Sequence, residues 1–134
     1  LCTSYHANHS GDSMTPALRI LLVDDEEIVR ETLCDFMLAC GHTVTQASDG
    51  REAVASLTKD DFDLILADVR MPGLDGMGLL ENVRQEGSDI PVIMMTGHGD
   101  AEMETQAAHL GATGFLVKPI RLRELDDLVQ NLTR

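Results

Sequence analysis

Leu18-Arg-Ile-Leu-Leu-Val-Asp-Asp25 and Asp63-Leu-Ile-Leu-Ala-Asp68 are two short, nearly continuous apolar runs, and each stops at an aspartate. Neither alternates apolar with polar residues, so each reads as a strand buried on both faces, as in a parallel sheet covered by helices. Two later runs follow the same rule. Pro91-Val-Ile-Met-Met95 stops at Thr96, and Phe115-Leu-Val117 stops at Lys118-Pro119. Thr43 to Ala47 is a weaker strand suited to a sheet edge.

Helical periodicity fills the gaps between the runs. Glu26 to Ala39 places Val29, Leu33, Phe36 and Met37 on one face, and Gly41 ends it. Ser48 or Asp49 can cap a second helix whose inward face holds Ala53, Val54 and Leu57. Gly76 to Gln85 uses Leu79, Leu80 and Val83; a fourth helix runs from Ala101 to Leu110; Leu122, Leu125, Val129 and Leu132 line the last. Five rounds of strand then helix with short turns predict an α/β fold, a doubly wound five-stranded parallel sheet with right-handed crossovers. The expected order is 2-1-3-4-5, because the first and third strands are the most apolar. Ligands of such sheets sit beyond the carboxyl ends of the strands, where strand order reverses.

At 134 residues one domain is expected. Ten basic against twenty-three acidic side chains give a net charge of −13, which argues against direct nucleic-acid binding and against an anionic membrane surface. Cys34 and Cys40 lie six apart on the first helix and point to different faces, and Cys2 lies in a polar tail, so no zinc or redox spacing exists. With no apolar stretch of spanning length and no signal peptide, the expected location is cytoplasmic. Residues 1–16 are polar and aperiodic and read as a disordered tag or linker, with Met14 a natural start; residues 17–134 form the domain.

The residues just after the strong strands gather on one edge: Asp24 and Asp25, Asp68, Thr96 and Lys118. Three carboxylates there repel one another and call for a raised proton affinity or a cation. Oxygen ligands of this kind suit Mg²⁺, and a lysine opposite them suits a phosphate or the acyl oxygen of a modified aspartate. Each residue alone has a plainer reading: Asp24-Asp25 as a helix cap, Asp68 as a turn former, Lys118 as a surface lysine. Their conjunction favours a site. Gly97-His-Gly99 has Glu102 where a dinucleotide fingerprint needs its third glycine, and His98 and His109 lack ligand spacing, so both read as solvated or packed. Met37, Met94 and Met95 read as core.

The strings Leu21-Leu-Val-Asp-Asp-Glu26, Asp68-Val-Arg-Met-Pro-Gly73, Met95-Thr-Gly-His98 and Phe115-Leu-Val-Lys-Pro119 resemble the receiver domain of two-component response regulators. The resemblance covers the chain from Arg19 onward, and Thr96-Gly-His-Gly-Asp100 is most similar to receivers of NtrC- or DctD-type transcriptional regulators. It implies the flavodoxin-like receiver fold. It also implies that Asp68 is the phosphoacceptor, taking a phosphoryl group from a sensor histidine kinase. Asp25, Asp68 and the Arg70 backbone carbonyl would hold Mg²⁺, with Asp24 acting mainly through water. Lys118 would pair with the acyl phosphate, while Thr96 and Phe115 would be the switch residues. The implied role is signalling rather than enzymatic, beyond self-catalysed phosphotransfer and autodephosphorylation. An output domain or protein, for instance a DNA-binding one, would lie outside this chain; homodimerisation and a cis peptide before Pro119 also belong to the family pattern.

Phe115 lacks the hydroxyl of a tyrosine, and Arg70 sets a long basic side chain beside the site. Two rival readings differ in class. A phosphohydrolase of the haloacid dehalogenase type needs a second aspartate two residues after its nucleophile, where this chain has Arg70. A pseudo-receiver would bind partners without accepting phosphate, and the intact Asp25, Asp68, Thr96 and Lys118 weigh against it.

Overall fold

The computed structural model describes residues 17–97 and 101–132. The readings of residues 1–16 as a tag or linker and of His98 as a solvated or packed side chain lie outside these residues.

Five strands and five helices alternate: β1 Arg19–Val23, α1 Glu27–Ala39, β2 Thr43–Ala47, α2 Gly50–Lys59, β3 Leu64–Asp68, α3 Gly76–Gln85, β4 Val92–Thr96, α4 Ala101–His109, β5 Gly114–Val117 and α5 Leu122–Leu132. All strand pairs are parallel and the order is β2-β1-β3-β4-β5, as expected from the sequence. Boundaries differ from the sequence reading by a residue or so. Glu26 is the N-cap of α1 rather than its first turn, and Cys40 follows the helix instead of lying on it. Both Cys34 and Cys40 are buried and unbridged.

Every residue of β3 and β4 is buried, which explains why these strands carry no polar alternation. Alternate side chains serve two cores. Leu21, Val23, Ile65, Ala67, Val92 and Met94 face α2, α3 and α4 through Ala53, Leu79, Leu80, Val83 and Ala107. Ile20, Leu22, Leu64, Leu66, Ile93 and Met95 face α1 and α5 through Leu33, Cys34, Met37, Leu125 and Val129. At about 1.5–3 kcal/mol for each fully buried aliphatic side chain, these two layers hold the sheet and so fix its carboxyl edge.

Capping residues set where the helices begin. Asp49 caps α2 by accepting from the Glu52 backbone N–H at 2.8 Å, and the Glu52 carboxylate accepts from the Ser48 N–H, one residue ahead of the cap, at 3.0 Å. Asp75 accepts from the Gly78 N–H at 2.8 Å and starts α3 directly below the site. His42 is buried, and its Nδ1 accepts from the Leu18 N–H at 3.0 Å, which anchors the start of β1.

Candidate functional site

Strand register carries the predicted residues to one place. Val23 pairs with Ala67, so Asp24 and Asp68, each the next residue, leave the sheet side by side. Asp68 pairs with Met95 and Thr96 with Val117, which sets Thr96 and then Lys118 one step further along the same edge. The Lys118 backbone N–H donates to the Thr96 carbonyl at 2.7 Å, and the Lys118-Pro119 peptide is cis.

Asp24 is fully buried. Its Oδ1 accepts from the Glu26 N–H at 2.9 Å, a turn bond just ahead of α1, whose N-cap is Glu26 rather than either aspartate. Asp25 lies exposed on the turn above it, and carboxylate oxygens of Asp24, Asp25 and Asp68 all come within 4.8 Å of one another. Opposite them the Lys118 side chain, 13% exposed, extends its ammonium to Asp24 Oδ2 at 2.9 Å and to Asp68 Oδ2 at 3.3 Å. Lys118 is therefore no surface lysine.

Burial is the largest influence on Asp68 and raises its pKa above the ordinary 3.8; the Asp24 charge adds to this, while Lys118 and the Arg70 backbone N–H work against it. For Lys118 burial is again the largest single influence and acts downward. Hydrogen bonds to Asp24 and Glu26 outweigh it, and the ammonium is held above the ordinary lysine range. The two shifts are consistent: deprotonating Lys118 amid these carboxylates is costly, and so is ionising the buried Asp68 carboxyl.

The chain fits closely beneath Asp68. Val69 N–H continues the ladder to Met95 at 2.7 Å, and Gly76 N–H returns to Val69 at 2.9 Å. A Cβ on Gly76 would collide with the Asp68 carbonyl oxygen, so only glycine allows α3 to start this near the site. Thr96 is fully buried at the end of β4, and Phe115 is half-buried against the core shared with α2, α3 and α4. The structure thus brings Asp24, Asp25, Asp68 and Lys118 into one cluster, with Thr96 and the Arg70 backbone at its margin.

Two side chains make contacts that were not foreseen. The Glu26 carboxylate accepts from Lys118 at 3.0 Å, and the Arg30 guanidinium donates to the Asp24 carbonyl at 2.7 Å and to Gln46 Oε1 at 3.0 Å. Glu26 read as an acid favouring a helix N-terminus. Nothing local signals its bond to a lysine 92 positions away. Arg30 lies six residues after Asp24, outside the i, i+3 and i, i+4 spacing of helical neighbours, so its reach back to the turn carries no local signal either.

A sheet of order 2-1-3-4-5 with an acidic cluster and one lysine on its carboxyl edge defines the CheY-like class of α/β domain. The family model of the response regulator receiver domain matches residues 20–130, and the chain belongs to that family, whose members are signalling domains of two-component systems. Among curated relatives it is 38% identical over 113 residues to response regulator protein FleR of Pseudomonas aeruginosa, covering 84% of this chain and 24% of that protein. It is 36% identical over 121 residues to the C4-dicarboxylate transport transcriptional regulatory protein DctD of Rhizobium meliloti, covering 90% of this chain and 26% of that protein. The chain thus spans about a quarter of these relatives' length. Among solved structures, the chemotaxis protein CheY4 of Vibrio cholerae superposes with a TM-score of 0.82 at 33% identity, covering 87% of this chain and 98% of that one.

Proposed function

We propose that this receiver accepts a phosphoryl group on Asp68 from a phosphohistidine of a sensor kinase and passes the change to an output domain or protein acting in transcription. The observation that carries the proposal is the Lys118 ammonium held between the Asp24 and Asp68 carboxylates on the switch-point edge. A carboxylate oxygen of Asp68 attacks phosphorus as the P–N bond to histidine breaks, and the bond pair leaves with the imidazole. The Asp68 nucleophile, its carboxylate neighbours and the phosphoryl group are all anionic, so positioning and charge compensation are the protein's main contribution to the transfer.

The donor set fits a hard divalent cation: three carboxylates within 4.8 Å of one another, two of them buried, with no soft ligand among them. Asp25, Asp68 and the Arg70 backbone carbonyl would hold Mg²⁺, with Asp24 through water. When bound, the ion supplies the charge compensation that lets an anionic donor approach. Lys118 orients a phosphoryl oxygen, and the Thr96 hydroxyl, at the end of β4, meets the new oxygens as they form. Phe115 follows Thr96, and the start of α4 transmits the difference as a shift between two arrangements. The proposed location is the cytoplasm, where a sensor kinase's histidine is phosphorylated.

Intact-mass analysis after incubation with acetyl phosphate, with and without Mg²⁺, tests the reading. One added phosphoryl group that needs Mg²⁺ and disappears in Asp68→Asn is the expected result. Wild-type protein that takes up no phosphoryl group under rapid quenching would instead be a receiver that works by binding alone.

A further inference from the structure

Lys118 has three N–H donors, and three carboxylates surround them: Asp24 Oδ2 at 2.9 Å, Glu26 Oε1 at 3.0 Å and Asp68 Oδ2 at 3.3 Å. An ammonium has no fourth donor to offer. If Asp68 is the phosphoacceptor, the reading on which this inference rests, an arriving phosphoryl oxygen can engage Lys118 only after one carboxylate lets go. Asp24 is the least able to leave. It is completely buried and fixed through its other oxygen by the Glu26 N–H. Asp68 carries the phosphorus itself. Glu26 is 61% exposed, stands at the N-cap of α1, and can exchange the lysine for water at little cost.

We propose that Glu26 is a releasable tether on Lys118, a positioning residue that competes with the incoming phosphoryl group and slows phosphorylation of Asp68. The tether belongs to the unphosphorylated protein. Once the group has been transferred, its oxygens take the lysine and Glu26 is solvated. Hydrolysis then begins from the untethered state: water attacks phosphorus, the acyl O–P bond breaks with its electron pair returning to Asp68, and protons pass to solvent. The kinetic signature is therefore asymmetric. Losing Glu26 speeds the forward step and leaves the lifetime of the acyl phosphate in place.

An exposed carboxylate–ammonium contact is worth a factor of about two to five in an equilibrium, which sets the size of the expected effect. The test measures phosphorylation by acetyl phosphate and decay after donor removal in wild type, Glu26→Gln, Glu26→Asp and Glu27→Gln, with each variant's Mg²⁺ affinity titrated so that all are compared at saturation. Glu27, the next residue and also exposed, removes the same charge without touching the contact. The 15Nζ resonance of Lys118 in metal-free protein reports the tether without any phosphorylation.

The expected outcome is a two- to fivefold faster forward rate in Glu26→Gln and, because the shorter side chain falls short of the ammonium, in Glu26→Asp. Glu27→Gln should match wild type, decay should be the same throughout, and the Lys118 resonance should move in the two Glu26 variants alone. Equal acceleration by Glu27→Gln, or wild-type rates in Glu26→Asp, would reduce the effect to net charge and overturn the tether. If wild type itself takes up no phosphoryl group, it is the phosphoacceptor reading that fails, and an unmoved Lys118 resonance in Glu26→Gln still rejects the tether independently.

Discussion

Asp68 and Lys118 pull the stability of this protein in opposite directions. The Asp68 carboxyl binds its proton more tightly in the folded chain than in the unfolded one, chiefly because it is buried. The sign then follows from linkage: between the ordinary 3.8 and its raised folded value the native state holds the extra proton, so stability falls as pH rises through that window. Above it the ionised carboxylate remains a standing cost. Asp68→Asn, which keeps the shape without the charge, should therefore be more stable than wild type in metal-free buffer at pH 7. Urea unfolding at pH 7 and at pH 4.5 should show the gap narrowing at the lower pH; a gap that widens there would contradict the burial argument. Lys118 is the reverse case. Its folded pKa lies above the ordinary 10.5, so its contribution is complete at and below that value and is lost only as pH rises through the higher folded one. Lys118→Met leaves Asp24 and Asp68 buried without their cation and should cost about 3 kcal/mol, measured by the same unfolding experiment. That cost should stay constant from pH 6 to pH 9.

Between residue and fold stand the elements that aim the site, and α3 is the most sensitive of them. Its first residue is Gly76, where an added methyl would meet the Asp68 carbonyl oxygen and the methyl group of Met94. Neither neighbour can yield freely, one being backbone and the other packed in the core. Gly76→Ala should cost about 1–3 kcal/mol and slow acetyl phosphate labelling of Asp68, whereas Asp75→Ala, which removes only the cap, should cost about 1 kcal/mol and leave labelling close to wild type. Chemical denaturation and intact mass on the two variants separate a displaced Asp68 from a weakened helix. The same elements show what a sequence can reveal. Strands β1, β3 and β4 were legible because both faces are buried and the apolar run is unbroken, and the gathering of Asp24, Asp68, Thr96 and Lys118 at the candidate site was legible because each directly follows or closes such a run. Glu26 and Arg30 were not, since their roles depend on side-chain reach across a turn. The anchoring of β1 by His42 was invisible for the same reason: a histidine beginning a weak edge strand carries no local sign that its Nδ1 will meet Leu18.

Taken as a whole molecule, the chain gathers some of its negative charge at the candidate site and carries far more than that. Ten basic residues cannot neutralise twenty-three acidic ones, and the net charge of −13 lies on a single small domain. The site accounts for Asp24, Asp25, Glu26 and Asp68 around Lys118; the Arg19–Asp63 pair at the opposite edge of β1 joins two half-exposed side chains and adds little. Most carboxylates are thus left to repel one another through solvent, a repulsion that favours the expanded state. Salt screens such long-range terms over about 10 Å at 0.1 M, while the short, mostly buried bonds of Lys118 are screened much less. Raising NaCl from 20 to 300 mM in metal-free buffer should therefore increase the Tm by a few degrees, corresponding to about 1 kcal/mol for a domain of this size. Differential scanning calorimetry decides it: a Tm that falls with salt would mean that local ion pairs, rather than the general acidic field, dominate the electrostatics of the fold. Asp68→Asn should show the same salt increment as wild type, because one buried charge near a lysine adds almost nothing to a field built by the whole surface.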